Sequence, residues 1–187
     1  MNTHIRNATF NFSLSLLLAL PAAAQVTSSL RTITLSADKP EQVTFSAPSP
    51  GSQSVSLTDG AAAMFANPFT TTVAWDVSQS TATTVKLIAY FTTPSQALVN
   101  GASVIPAELI EISLDNGSTW HPVTSNAIGG VGAAGGSYVL YTSAVTQGTN
   151  RRSSATVTFH VRVNLTGSPA TAAGSYSGAL NLIAVCN

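Results

Sequence analysis

Reactive side chains are scarce in this sequence, which holds three histidines, one cysteine and seven carboxylates in 187 residues. General acid and base catalysis needs two titratable groups aimed at one place, and on a strand, residues an odd number apart face opposite ways. Glu108 and Glu111 stand three apart around a β-like run, so they do not form such a pair. Asp38 and Glu41 flank Lys39-Pro40, Asp59 precedes Gly60, and Asp115 opens Asp115-Asn116-Gly117. Each has a turn as sufficient reason to be there. Asp76 lies between Trp75 and Val77 on the polar face of an alternating run.

His121 and His160 have no His-x-His, His-Glu-x-x-His or Cys-x-x-Cys spacing around them, so zinc or iron has no local support. Calcium could draw on loop carboxylates and carbonyls, but Asp115-Asn116-Gly117 is better explained as a turn than as an Asp-rich calcium loop. No Gly-x-Ser-x-Gly elbow occurs, and the glycine-rich residues 129–136 lack the Lys-Ser/Thr ending of a phosphate loop. Cys186 reads either as a small apolar residue ending a strand or as half of an intermolecular disulfide; a catalytic thiol would need a partner that the pattern does not supply. We therefore assign no catalytic residue, no metal ligand and no cofactor, and expect a non-enzyme.

Aromatic rings are the remaining candidates. Trp75, Trp120, Tyr138 and Tyr141 could offer a platform to sugar rings. Trp75 belongs to an alternating strand and reads as core. Trp120 follows a turn and precedes His121-Pro122, where partial exposure is expected, so Trp120 and Tyr138 are the candidate ligand-binding pair, with a glycan as the ligand class. Arg151-Arg152 is the one adjacent basic pair after residue 24, read as a solvated loop or a contact for phosphate or an acidic sugar. Asn116-Gly-Ser and Asn164-Leu-Thr fit the glycosylation triplet, which matters only in a host that modifies it.

The elements that must position these residues share one period, which is two. Val43 and Phe45, Val55 and Leu57 alternate with Thr and Ser, Val73, Trp75 and Val77 with Ala74 and Asp76, and Pro40, Pro48 and Pro50 mark connections. Ile33 and Leu35 open the series. Residues 85–91 are apolar on both faces, as in a central strand. Ile110, Ile112 and Leu114 run into Asp115-Asn116-Gly117 and return through Trp120 and Val123 as a hairpin. Residues 129–136 read as a mobile glycine loop and 138–141 as a strand. Val157, Phe159, Val161, Val163 and Leu165 alternate without fault, as do Tyr176, Leu180, Leu182 and Ala184 with Gly178 in phase. Residues 59–65 could make one short helical turn, which Pro68 would end. The pattern predicts an all-β chain, a single Ig-like Greek-key β-sandwich of about nine or ten strands.

Residues 1–24 differ from the rest: a weakly basic start, an apolar run over 10–20, Pro21, then Ala22-Ala23-Ala24. This is the pattern of a cleavable signal peptide, leaving 25–187 as one domain that is secreted, periplasmic or at the cell surface. The run is shorter than a bilayer-crossing helix, so no membrane span is expected after cleavage. Charged residues are only 7% of the chain and the formal net charge is zero, against roughly 25% charged in an ordinary domain. Nucleic acid is thereby disfavoured as a partner, and weak self-repulsion favours association.

Residues 172–182, Ala-Ala-Gly-Ser-Tyr-Ser-Gly-Ala-Leu-Asn-Leu, resemble the closing strand of bacterial exported Ig-like modules. There Gly174 would allow a tight approach to the strand, and Tyr176 would return its hydroxyl to a backbone group, similar to a tyrosine corner. With the signal peptide and low charge, the chain is also similar to fimbrial or spore-coat-U-like subunits. That resemblance implies a structural subunit, with residues 25–35 as a strand donated to a second copy or to another exported protein. In 25–35, Val26, Ser28 and Leu30 share one face and Ile33 and Leu35 the other, and the usual paired cysteines are absent. The alternative expectation is a carbohydrate- or ligand-binding sandwich module.

Overall fold

Alternation of Val, Phe and Trp with Ser and Thr suits a backbone whose side chains point alternately to core and water, and the structure is built from such segments. It is a computed structural model that describes residues 35–78, 84–126, 135–146 and 148–187. Eleven strands appear: β1 Gln42–Phe45, β2 Ala62–Met64, β3 Phe69–Asp76, β4 Thr84–Tyr90, β5 Leu98–Asn100, β6 Ser103–Ile105, β7 Ile110–Ser113, β8 His121–Pro122, β9 Ser137–Ala144, β10 Arg152–Asn164 and β11 Asn181–Cys186. The only helical elements among the described residues are two 3₁₀ turns, Pro94–Gln96 and Ala107–Leu109. All strand pairing is antiparallel, in sheets of six, three and two strands. The chain is all-β, and Lys39–Asn187 forms one compact unit.

β10 organises the six-stranded sheet, ordered β1-β3-β10-β7-β8 with β2 also on β10. Its 13 residues are long enough to hold β3 along 152–159 and β7 along 160–163. On its outer surface, Thr158 meets Thr70 and Thr156 meets Thr72, each pair of hydroxyl oxygens 3.2 Å apart. β4 is the centre of the three-stranded sheet β11-β4-β9, as its doubly apolar sequence requires. The β4–β9 register shifts between Leu87 and Ile88, and the extra β9 residue, Leu140, is buried.

The main apolar cluster draws on both larger sheets, with Leu87, Ala89 and Leu140 from one and Ile110, Ile112, Phe159 and Val161 from the other. A second cluster holds Val73, Trp75, Val77, Val85 and Val145. The buried hydroxyls of Thr71 and Ser137 are satisfied locally. Thr71 donates to the Ser46 carbonyl at 2.6 Å, and Ser125 and Ser137 exchange hydroxyl-to-carbonyl bonds at 2.6 Å each way.

Several expectations change in detail. Val55 and Leu57 alternate as expected but lie in no strand, and β11 begins at Asn181, so Tyr176 and Leu180 precede it. Residues 62–64, which could have made a helical turn, pair with β10 instead, because Ala63 has an open ladder position opposite Val163. β5 and β6 were not anticipated. Asn100-Gly101 between apolar pairs was their signal, and Gly101 takes φ +58 in the two-residue turn. Gly136, expected in a mobile loop, is buried: its carbonyl accepts the Phe91 N–H at 2.8 Å, and a β-carbon there would strike the Pro94 ring. Residues 129–134, the signal peptide and Ile33 lie outside the described residues; Leu35 is exposed and in no strand.

Candidate functional site

Trp120 and Tyr138 are both half-buried, each with a ring face taken by a protein neighbour. The Arg162 guanidinium sits 4.4 Å from the centre of the Trp120 ring. That arginine is held by an ion pair to Glu111, which also accepts the Asn164 amide at 3.0 Å. Tyr138 stacks on His121, centroids 5.5 Å apart and planes 17° from parallel. Burial, with the Asp115 charge second, pushes its phenol upward in pKa. No ring contact joins Trp120 to Tyr138 among the described residues. Trp75 is core, with Tyr141 tilted against it at 6.2 Å.

The carboxylates are engaged in structure. Hydrogen bonds from the Thr119 side chain, Ser113 and the Thr119 N–H hold Asp115 well below the usual carboxylate range. Lys39 bonds to Asp76 and lowers it, with Arg152 Nε 3.9 Å away. The Thr171 N–H and hydroxyl donate to one oxygen of Asp59 at 3.0 and 2.8 Å, lowering it likewise. Glu41 accepts the Ser78 N–H at 2.6 Å, and Glu108 lies exposed on a 3₁₀ turn. His160 has a buried Nδ1 with no hydrogen-bond partner. Among the described residues, no three of His, Cys, Asp and Glu come together. Cys186 is a free thiol, half-buried in β11 beside the second cluster, and burial raises its pKa. Arg151 and Arg152 line a shallow surface cleft with Lys39, Glu41 and Asp76.

A deeper feature was missed at the level of sequence. Residues 53–57 and 171–178 form the walls of a cleft of about 740 Å³, with Phe65, Leu98 and Val163 also lining it. It adjoins a second hollow of about 280 Å³ that reaches the core side chains Phe69, Phe91, Ile110, Phe159 and Val161. Neither wall belongs to a strand, and the second touches a sheet only through the Ser177–Val99 bridge. In the first, Val55 and Leu57 pack on the core while Ser54 and Ser56 are exposed. Residues 52–57 make no backbone–backbone hydrogen bond among the described residues, and in 171–180 only Ser177 does, in a reciprocal pair with Val99. Unpaired backbone beside an apolar floor is what an added strand would satisfy. The signal in the sequence was there, since Val55/Leu57 and Tyr176/Gly178/Leu180 both alternate; what could not be read was that, among the described residues, the first pairs with nothing and the second only through Ser177 with Val99.

Comparison with protein-family models, with curated proteins and with solved structures gives no match to this chain.

Proposed function

We propose that this chain is an exported, non-enzymatic structural or surface-assembly module, a single Ig-like β-sandwich that associates by accepting a β-strand into the cleft between residues 52–57 and 171–180. The occupant we favour is the 25–35 segment of a second copy. The observation that carries the reading is the pair of walls above an apolar floor whose backbone, among the described residues, has no ladder partner except Ser177 on Val99. An incoming strand would complete backbone hydrogen bonds on both sides and cover Phe65 and Leu98. A sandwich is supported by the apolar cluster shared between the six- and three-stranded sheets, and an Ig-like closing segment by the Tyr176 hydroxyl, which donates to the Ala172 carbonyl at 3.0 Å. Low charge and zero net charge suit a protein that meets copies of itself. Export is supported by the signal-peptide pattern of residues 1–24, under which the working protein would act outside the cytoplasm.

The test compares protein 25–187 with protein 36–187 in analytical ultracentrifugation across a hundredfold concentration range, then adds a synthetic 25–35 peptide. Expected are concentration-dependent oligomers for the longer protein, monomers for the shorter, and saturable peptide binding by the shorter. A longer protein that stays monomeric, together with a peptide that does not bind, would remove the reading.

A further inference from the structure

We propose that residues 171–179 are a closing strap over this cleft and that the Asp59 carboxylate is its lock. The gating role rests on the strand-addition reading; the lock does not. After β10 the chain must cross the cleft to reach β11, and its fastenings on the way are few. Asp59 holds the start of the strap through the Thr171 N–H and hydroxyl, at 3.0 and 2.8 Å, across 112 residues of sequence. Val99 holds the middle, exchanging backbone bonds with Ser177 at 2.8 and 3.0 Å. The Asn100 amide reaches the Ala173 carbonyl at 3.4 Å, a weak contact. Tyr176 bonds to Ala172 within the strap, and its ring packs against the main apolar cluster, a non-directional contact beside these hydrogen bonds.

Two glycines let the strap sit where it does. A β-carbon at 178 would run into the Ala97 carbonyl, and Gly174 at φ +146 lies against the Asn100 side chain. Beyond the strap, β11 is fixed by six residue pairs with β4, so residues 171–179 can lift while the three-stranded sheet stays whole. Lifting would widen access to Phe65, Leu98 and Val163 and, past them, to the deeper hollow. Of the two firm fastenings, the Val99–Ser177 pair is backbone and common to any sequence. Asp59 is the one made by a side chain, and it adds a directional hold to the apolar contact of Tyr176. A segment held at so few points opens at a lower free energy than the sheets beside it.

Hydrogen exchange and peptide binding on the same Asp59→Ala protein test this. Breaking the lock should speed exchange of the Ser177 amide, which donates to Val99, by about tenfold, leaving 84–90 and 181–186 unchanged. If uptake of the 25–35 peptide requires the lifted strap, apparent affinity should rise by the same factor, since it scales with the population of the competent state. Asp59→Asn, which keeps an acceptor oxygen, should fall between wild type and Asp59→Ala. Unchanged exchange at Ser177 overturns the lock. Faster exchange with unchanged peptide affinity overturns the gate. Peptide bound by neither protein removes strand addition and the gate with it, while faster exchange would still identify Asp59 as the lock. Exchange that also rises across 84–90 means general loosening of the fold and counts against a local strap.

Discussion

The indole N–H of Trp75 donates to the Asn150 carbonyl at 2.7 Å, tying the buried face of β3 to the turn that leads into β10. Asn150 is itself fixed, its amide donating to the Ala144 carbonyl at 2.6 Å and its Oδ1 accepting the Thr146 N–H at 2.7 Å. Trp75→Phe keeps most of the apolar contact and leaves that carbonyl without its donor. The expected cost is roughly 1–3 kcal/mol, read as a lower urea midpoint with an unchanged m-value.

Gly178 is closed to side chains because the obstacle is backbone, the Ala97 carbonyl. Gly178→Val should therefore destabilise by about 1–3 kcal/mol. Gly51→Ala is the matched control, with no foreign atom nearer than 3.9 Å to the new β-carbon, and should change stability by less than about 0.5 kcal/mol. Thermal unfolding followed by circular dichroism separates the two.

Asp59, Asp76 and Asp115 all have depressed folded-state pKa values, through bonds from Thr171, Lys39 and Thr119 with Ser113 respectively. In the unfolded chain such groups titrate near about 3.9. Their contribution is thus fully present above that value and is lost as pH falls through the lower folded pKa values. Urea midpoints between pH 7 and pH 2 should be flat at first and drop below about pH 4. Asp115→Asn should show a shallower acid decline than wild type.

Arg162 serves Glu111 and Trp120 together, through charge on one side and a flat cation on the other. Lysine keeps the charge but loses the planar face and the fixed fork. Arg162→Ala should cost roughly 1–3 kcal/mol, with Arg162→Lys recovering less than half of it. A red shift in tryptophan emission should accompany both, as Trp120 becomes wetter.

Strand periodicity made most of the architecture legible. β1, β3, β7, β10 and the later part of β11 contain residues whose alternation marked them, β4 was marked by an apolar run on both faces, β9 was read as a strand over 138–141, and Trp75 was correctly placed in the core. Periodicity states which face a residue turns inward and says nothing about who lies beside it. Val55 and Leu57 show this: their side chains pack inward as read, yet their backbone has no ladder. The short strands β2, β5 and β6 escaped because three residues hold too little alternation to register, whereas β8 lies within the expected hairpin return from Trp120 to Val123. For the candidate rings, partial exposure of Trp120 followed from its place after a turn. Its Arg162 neighbour could not be foreseen, because it depends on β10 pairing with β7 in one register, Arg162 against Glu111.

β3 cannot be shielded until β10 reaches it, and the two are joined only after some eighty intervening positions, Thr72 facing Thr156 and Thr70 facing Thr158. Until then Val73 and Trp75 belong to a half-built ribbon open to water, in a chain whose 7% charge gives little mutual repulsion. Distant pairing of this kind slows folding and prolongs exposure of adhesive surface. Synthesis is therefore the hazardous stage for this protein, and a holding partner that covers β3 while β10 is still emerging would raise its yield more than any added stability in the finished molecule.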